Sequence, residues 1–111
     1  MDVDARKQAI TIGDLLTQRP GLACDDNNEN SPGNETKIYP TGDWLKTILA
    51  LPMAVDPGKQ AAYCSGNSLL LDRIVEKVSG QRLHDFARQN LFAPLGIGKF
   101  QWDFVPRYAP V

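Results

Sequence analysis

Residues 61 to 80 read AAYCSGNSLLLDRIVEKVSG, and the second half of this stretch constrains the fold more than any other part of the chain. Leu70, Leu71, Ile74, Val75 and Val78 recur at the spacing of one helical face, while Asp72, Arg73, Glu76 and Lys77 fall away from it. Gly80 stands where the end of a helix favours a left-handed residue. The pattern predicts a helix with an apolar stripe inward and its charges in solvent. Such a stripe has to be laid against other elements, and no alternating strand pattern of useful length exists to supply a sheet. The expected class is mainly α: four or so short helices joined by long irregular loops.

The remaining helices follow from their caps and breakers. Thr11 is placed to cap a first helix, with Asp14 in the reciprocal position of a capping box and Ile12, Leu15 and Leu16 apolar behind it. Arg19, Pro20 and Gly21 end it, because proline cannot continue a helix and glycine permits the turn. Residues 23–40, ACDDNNENSPGNETKIYP, hold most turn-forming types and no apolar period, which reads as a long polar loop. Thr41 is the expected cap of the next helix, in which Trp44, Ile48 and Leu51 share a face beside Leu45 and Leu49. Pro52 and the Asp56-Pro57-Gly58 turn close it. A last helix is expected from about Leu83, with Phe86, Ala87 and Leu91 inward, closed by residues 93–96, APLG. Phe100 to Phe104 reads either as one short strand or as an aromatic tail packed on the helices. The expected organisation is one domain or subdomain over 1–111, with a flexible segment at 1–9 and a tail at 105–111.

Composition excludes several classes of function. At 111 residues the chain can build a single core but not two. Its 42% hydrophobic and 23% charged residues are ordinary for a globular chain. Twelve basic against thirteen acidic residues give a net charge of −1 with no basic stripe, which argues against nucleic acid and anionic membrane surfaces as partners. No apolar run reaches the roughly 20 residues of a membrane span. The first residues, MDVDARKQAI, lack the apolar core of a secretory signal.

Most candidate chemistry weakens on inspection. Cys24, Cys64 and the single His84 are too few for a zinc site, and the two cysteines read as buried small residues or as one bridge. The run Asp25 to Asn30, DDNNEN, offers oxygen ligands but fails the EF-hand template. Its sixth position is Asn30 rather than glycine and its twelfth is Thr36 rather than glutamate, so a solvated Asx-rich loop is the expectation. No metal or cofactor is called for. Asn34-Glu35-Thr36 matches a glycosylation triplet, a pattern that arises readily by chance. Cys64 with His84 would make a thiol nucleophile only with contact and an orienting third group that nothing marks. Ser65 lacks the flanking glycines of a nucleophile elbow.

Tyr63 is different because of the order in which its surroundings occur. Ile10 to Thr17 (ITIGDLLT), Pro20-Gly21-Leu22, Pro57-Gly58, Tyr63-Cys64-Ser65, Leu69 to Gly80 (LLLDRIVEKVSG) and Leu91 to Ile97 (LFAPLGI) together resemble the serine beta-lactamase family, meaning the class C enzymes and their D-alanyl-D-alanine peptidase and esterase relatives. The resemblance runs from about Ile10 to Trp102; each segment is weak alone and the ordered set is specific. It implies the all-helical subdomain of a bacterial acyl-transfer enzyme, periplasmic or secreted, with a Ser-x-x-Lys nucleophile, a Tyr-x-Asn second motif and a Lys-Thr-Gly-like strand.

On that resemblance Tyr63 is the tyrosine of the second motif and would act as general base or acid. Free tyrosine, with a pKa of about 10, is a poor base near neutrality and needs an adjacent cation to favour the phenolate. Ser65 falls where the family has asparagine; its hydroxyl is shorter and carries fewer donors, which puts a true beta-lactam preference in question. The resemblance also places Cys24 and Cys64 on one side of the subdomain, close enough to bridge. None of Ser31, Ser65, Ser68 and Ser79 has lysine three positions on, and neither Lys-Thr-Gly nor His-x-Gly occurs. The expectation is therefore a fragment of such a hydrolase, inactive alone and completed by a missing α/β portion. The alternative is a free-standing helical module for interaction or self-association. Either way, uncovered apolar surface should drive homo-oligomers. Light scattering at high micromolar concentration is expected to report a dimer or larger species, and a clean monomer would remove that expectation.

Overall fold

A computed structural model describes residues 4–102, which fall into two compact units divided after Leu71. Five α-helices occur among the described residues: α1 Ile12–Leu16, α2 Glu35–Ile38, α3 Trp44–Leu49, α4 Ser65–Ser79 and α5 Leu83–Ala87. There is no sheet among them, only an isolated antiparallel bridge between Leu22 and Met53. The protein is mainly α.

Local chemistry explains where the helices of the first unit start. Thr11 accepts from the Asp14 amide at 3.0 Å while the Asp14 carboxylate accepts from the Thr11 amide at 3.0 Å, a complete capping box on α1. Asp43, not Thr41, caps α3, accepting from the Lys46 amide at 3.1 Å. Thr41 instead serves the preceding helix, because its hydroxyl donates to the Ile38 carbonyl at 2.6 Å and closes the end of α2. α2 itself lies inside the segment 23–40 that reads as loop. It is one turn, capped by Asn34, and too short to show an apolar period. A 3₁₀ turn at Ala5–Ala9 likewise occupies the segment expected to be flexible, with the Asp4 carboxylate accepting from the Arg6 amide at 3.0 Å.

The core of the first unit gathers Leu15, Leu22, Ile38, Trp44, Ile48, Leu51 and Leu70 around the two cysteines. Ile48 has no exposed surface, and truncating it would leave a cavity costing about 2–5 kcal/mol. Two glycines make the close approaches possible. A Cβ on Gly33 would sit 2.7 Å from both Cys24 Cβ and Leu51 Cδ1, and one on Gly66 would sit 3.2 Å from Cys64 Sγ and Ile48 Cγ1. Cys24 and Cys64 are joined by a disulfide with their Cα atoms 5.5 Å apart, within the usual span of such a bridge. Closing a loop of 40 residues contributes about 4 kcal/mol on the chain-entropy account.

The second unit begins within α4. The helix ends at Gly80, whose φ of +73° is the left-handed conformation expected there. The stripe read from the sequence is only partly the buried one: Leu70 is buried, but Val78 is 82% exposed and Glu76, expected in solvent, is 5% exposed. Periodicity defines a face without saying how far along the helix that face stays covered. α5 continues into a π-helical turn at Arg88–Phe92, and Gly96 closes the segment with φ +77°. Phe100 lies with its ring 4.6 Å from that of Phe92, and the Trp102 ring is 6.1 Å from that of His84. The described part of the Phe100–Phe104 segment is thus an aromatic extension, not a strand; residues 103–104 and the expected tail at 105–111 lie outside the described residues.

Burial raises the Glu76 pKa above its usual 4.5, and the Asp72 carboxylate beside it pushes the same way. A carboxyl whose folded pKa is raised binds its proton more tightly in the native state. Its stabilising contribution is present at low pH and is lost as pH rises from the unfolded pKa through the folded one. Glu76→Gln is therefore expected to keep stability flat across that window while the parent declines. Urea midpoints measured from pH 4 to 8 check it, and parallel curves would count against the assignment.

Candidate active site

Tyr63 and Cys64 immediately precede α4 and Ser65 opens it, and the main chain there is held from several directions. The Ala62 amide donates to the Gln18 carbonyl at 2.9 Å, and the Tyr63 carbonyl accepts from the Asp26 amide at 2.8 Å. The Cys64 amide donates to Gln18 Oε1 at 3.1 Å, and the Ser65 amide donates to Asp26 Oδ2 at 2.8 Å. The disulfide adds a covalent tie at Cys64. Four successive residues are thus fixed to remote parts of the first unit, while the Tyr63 side chain is 60% exposed. The arrangement is a rigid mount that presents a phenol outward.

Asp26 is the centre of that mount. Its Oδ1 accepts from the Glu35 amide at 2.9 Å, and its Oδ2 accepts from both the amide and the hydroxyl of Ser65, at 2.8 and 2.7 Å. One carboxylate therefore serves the first turns of two helices, and its charge suits the positive end of the 15-residue α4. The Ser65 hydroxyl also lies 3.1 Å from Glu35 Oε2; with one hydrogen it donates to one carboxylate at a time. Tyr39 donates to the same Glu35 oxygen at 3.3 Å. Burial pushes the Tyr39 phenol pKa up, and the neighbouring charge of Glu35 adds to it.

Several candidates from the sequence change meaning here. The Asp25 and Asp26 carboxylates accept backbone amides, from Asn27 and from Glu35 and Ser65, so two of the three acidic side chains in that run are structural rather than solvated. Asn34 is buried, its side-chain nitrogen 3.1 Å from the carbonyls of Asp26 and Asn28, so the folded loop offers no free amide to a glycosyl donor. Cys64 is in a disulfide and has no thiol to serve as nucleophile. Nothing in the sequence marks Gln18, Asp26 or Glu35 as a support for Tyr63. Asp26 and Ser65 are 39 positions apart, and no local pattern joins them.

The profile of the family described as Beta-lactamase matches residues 2–107. The chain is 29% identical over 92 residues to a putative D-alanyl-D-alanine carboxypeptidase of Escherichia coli (strain K12), an alignment covering 82% of this chain and 21% of that one. It is 30% identical over 90 residues to penicillin-binding protein 4 of Amycolatopsis lactamdurans, covering 81% of this chain and 23% of that one. The chain belongs to the beta-lactamase family, and it spans about a fifth of the length of the curated relatives it matches.

Removing the Asp26 carboxylate strips a cap from α4 and leaves the Glu35 amide without its partner. Asp26→Ala is expected to lose about 2 kcal/mol in urea unfolding. Amide exchange at Tyr63 to Ser65 should accelerate in the same variant. A loss below about 0.5 kcal/mol, the range of ordinary surface changes, would show that Asp26 is not the anchor.

Proposed function

We propose that this segment carries the second catalytic motif of a serine acyl-transfer hydrolase acting on a beta-lactam, peptide or ester, with Tyr63 as the proton carrier. The observation that supports this most directly is the outward-facing phenol on a main chain tied down at four successive residues. General acid–base catalysis needs a group held at a set distance from the reacting atoms, and a mount of this kind supplies it. In the reaction a hydroxyl attacks the carbonyl carbon, its proton passes to the Tyr63 oxygen, and the same proton moves on to the leaving nitrogen or oxygen. Ser65, at the position of the motif asparagine, spends its hydroxyl on Asp26 and Glu35 and so supports the loop rather than the substrate.

The nucleophile and the lysine that would tune Tyr63 have no match in these 111 residues, since none of the four serines begins a Ser-x-x-Lys. On this reading both come from additional sequence or from a second chain, and the 111 residues do not acylate by themselves. The disulfide suits an oxidising compartment. A second reading, a helical interaction module, is favoured by Ile12 and Leu16, which are 55% and 67% exposed one turn apart on α1.

Intact-mass measurement after incubation with a reactive beta-lactam or an activated ester tests the proposal. No adduct is expected on the 111-residue chain. When the chain is joined to a segment bearing Ser-x-x-Lys and Lys-Thr-Gly, an acyl adduct should form, and Tyr63→Phe should slow it by about 10²–10⁴. A stoichiometric adduct on the chain alone, or an unchanged acylation rate in the Tyr63→Phe form, would overturn the respective half of the proposal.

A further inference from the structure

Among the described residues, Gln18 alone combines a side chain with a left-handed backbone, at φ +60°. Gly21, Gly58, Gly80 and Gly96 hold the other positions of that kind. Gln18 follows the end of α1, where the Arg19 amide donates to the Asp14 carbonyl at 2.6 Å and the Gln18 amide to the Leu15 carbonyl at 3.2 Å. This is the bonding pattern of a helix end at which glycine is the usual residue, because a Cβ carries a steric cost there. Glycine stands at four left-handed positions and glutamine at the fifth, so the glutamine side chain has a use that offsets the strain.

Its hydrogen bonds show what that use is. The Gln18 carbonyl accepts from the Ala62 amide at 2.9 Å, and Gln18 Oε1 accepts from the Cys64 amide at 3.1 Å. Ala62 and Cys64 are the two neighbours of Tyr63. The peptide between Tyr63 and Cys64 is held on both edges, its N–H by Gln18 Oε1 and its carbonyl by the Asp26 amide at 2.8 Å. The buried Asn67 of α4 donates to the same Gln18 oxygen at 2.6 Å, so the carboxamide cannot swing away without leaving two donors unpaired. Only the oxygen end accepts, and Gln18 Nε2 donates to no protein acceptor among the described residues. One residue thus grips the loop on either side of the phenol, once with its main chain and once with its side chain.

We propose that Gln18 is a positioning residue for Tyr63, fixing the amides before and after it so that the phenol leaves the loop in one direction. It touches no substrate and acts only through Tyr63. Proton transfer depends steeply on where the carrier oxygen sits, so loosening the grip costs rate rather than substrate affinity. The catalytic consequence rests on the reading of Tyr63 as the proton carrier; the grip on residues 62–64 does not.

Two variants separate the main-chain grip from the side-chain one. Gln18→Gly keeps the carbonyl and relaxes the backbone but removes the carboxamide, whereas Gln18→Glu keeps an acceptor oxygen in its place. In the oxidised 111-residue chain, amide exchange at Cys64 should accelerate at least about tenfold in Gln18→Gly, with Ala62 and the core amide of Ile38 within about twofold of the parent. Gln18→Glu should restore the protection of Cys64. In the chain joined to a segment bearing Ser-x-x-Lys and Lys-Thr-Gly, Gln18→Gly should slow acylation by a reactive beta-lactam about tenfold at unchanged KM. In a Tyr63→Phe background the same change should alter the rate less than about twofold, because the residue it acts through is gone. Retained Cys64 protection in Gln18→Gly, equal loosening of Cys64, Ala62 and Ile38, or no rescue by Gln18→Glu would each overturn the positioning role. Equal slowing with and without the Tyr63 hydroxyl would overturn its action through Tyr63. An acylation rate that ignores Tyr63→Phe sinks the proton-carrier reading instead, and the exchange pattern still decides the grip.

Discussion

The Asp26 carboxylate accepts three hydrogen bonds from two separate helices while its own amide holds the Tyr63 carbonyl. A charged acceptor with its oxygens occupied is worth more than a neutral cap, because the helix N-terminus it faces carries partial positive charge. The disulfide and Asp26 act on nearby positions, 24 and 26 at one end and 64 and 65 at the other. The covalent bond reduces the freedom of the unfolded loop, and the carboxylate chooses among the remaining conformations the one in which α4 starts at Ser65. Gly33 and Gly66 complete the arrangement by keeping side chains out of the space where these segments meet. Everything that orients Tyr63 depends on this short range of chain being in one register.

How much of this is legible in the sequence depends on the distance over which each interaction acts. The α1 capping box is encoded by residues three apart, so Thr11 and Asp14 announce it. α4 is long enough for its period and its glycine stop to be read directly. The start of α3 is misread because Thr41 and Asp43 are both good caps; only the Ile38 carbonyl, which takes the Thr41 hydroxyl, decides between them. The turn of α2 hides in the polar loop because four residues cannot show a period. Glu76 and Val78 illustrate a different limit: hydrophobic pattern reports average tendency, whereas burial depends on which groups happen to lie above each turn.

The site is legible in a still narrower sense. Tyr63 is singled out by the order of segments on either side of it, not by its own neighbours, and the run of Asp and Asn that positions it reads as solvent-facing loop. Turn-forming residues have two uses that the sequence cannot separate. They solvate a loop, or they turn their side chains inward and bond its backbone, as Asn34 does with the carbonyls of Asp26 and Asn28. The second use requires burial, and burial is a property of the whole unit.

A tyrosine that carries protons near neutral pH needs two things, a fixed position and an electrostatic environment that favours the phenolate. The first is local and can be built by a short helical segment from hydrogen bonds, a disulfide and a helix start. The second needs a cation close to the oxygen, and the groups gathered behind this loop are the carboxylates of Asp26 and Glu35, with the Tyr39 phenol donating to Glu35. Asp26 and Glu35 support the mount because they meet Ser65 at the N-terminus of α4. On the proposed reading, orientation is the task of this helical segment and tuning falls to residues outside it. In that proposal the helical segment is an oriented support, and the residues that set the proton affinity are supplied from elsewhere.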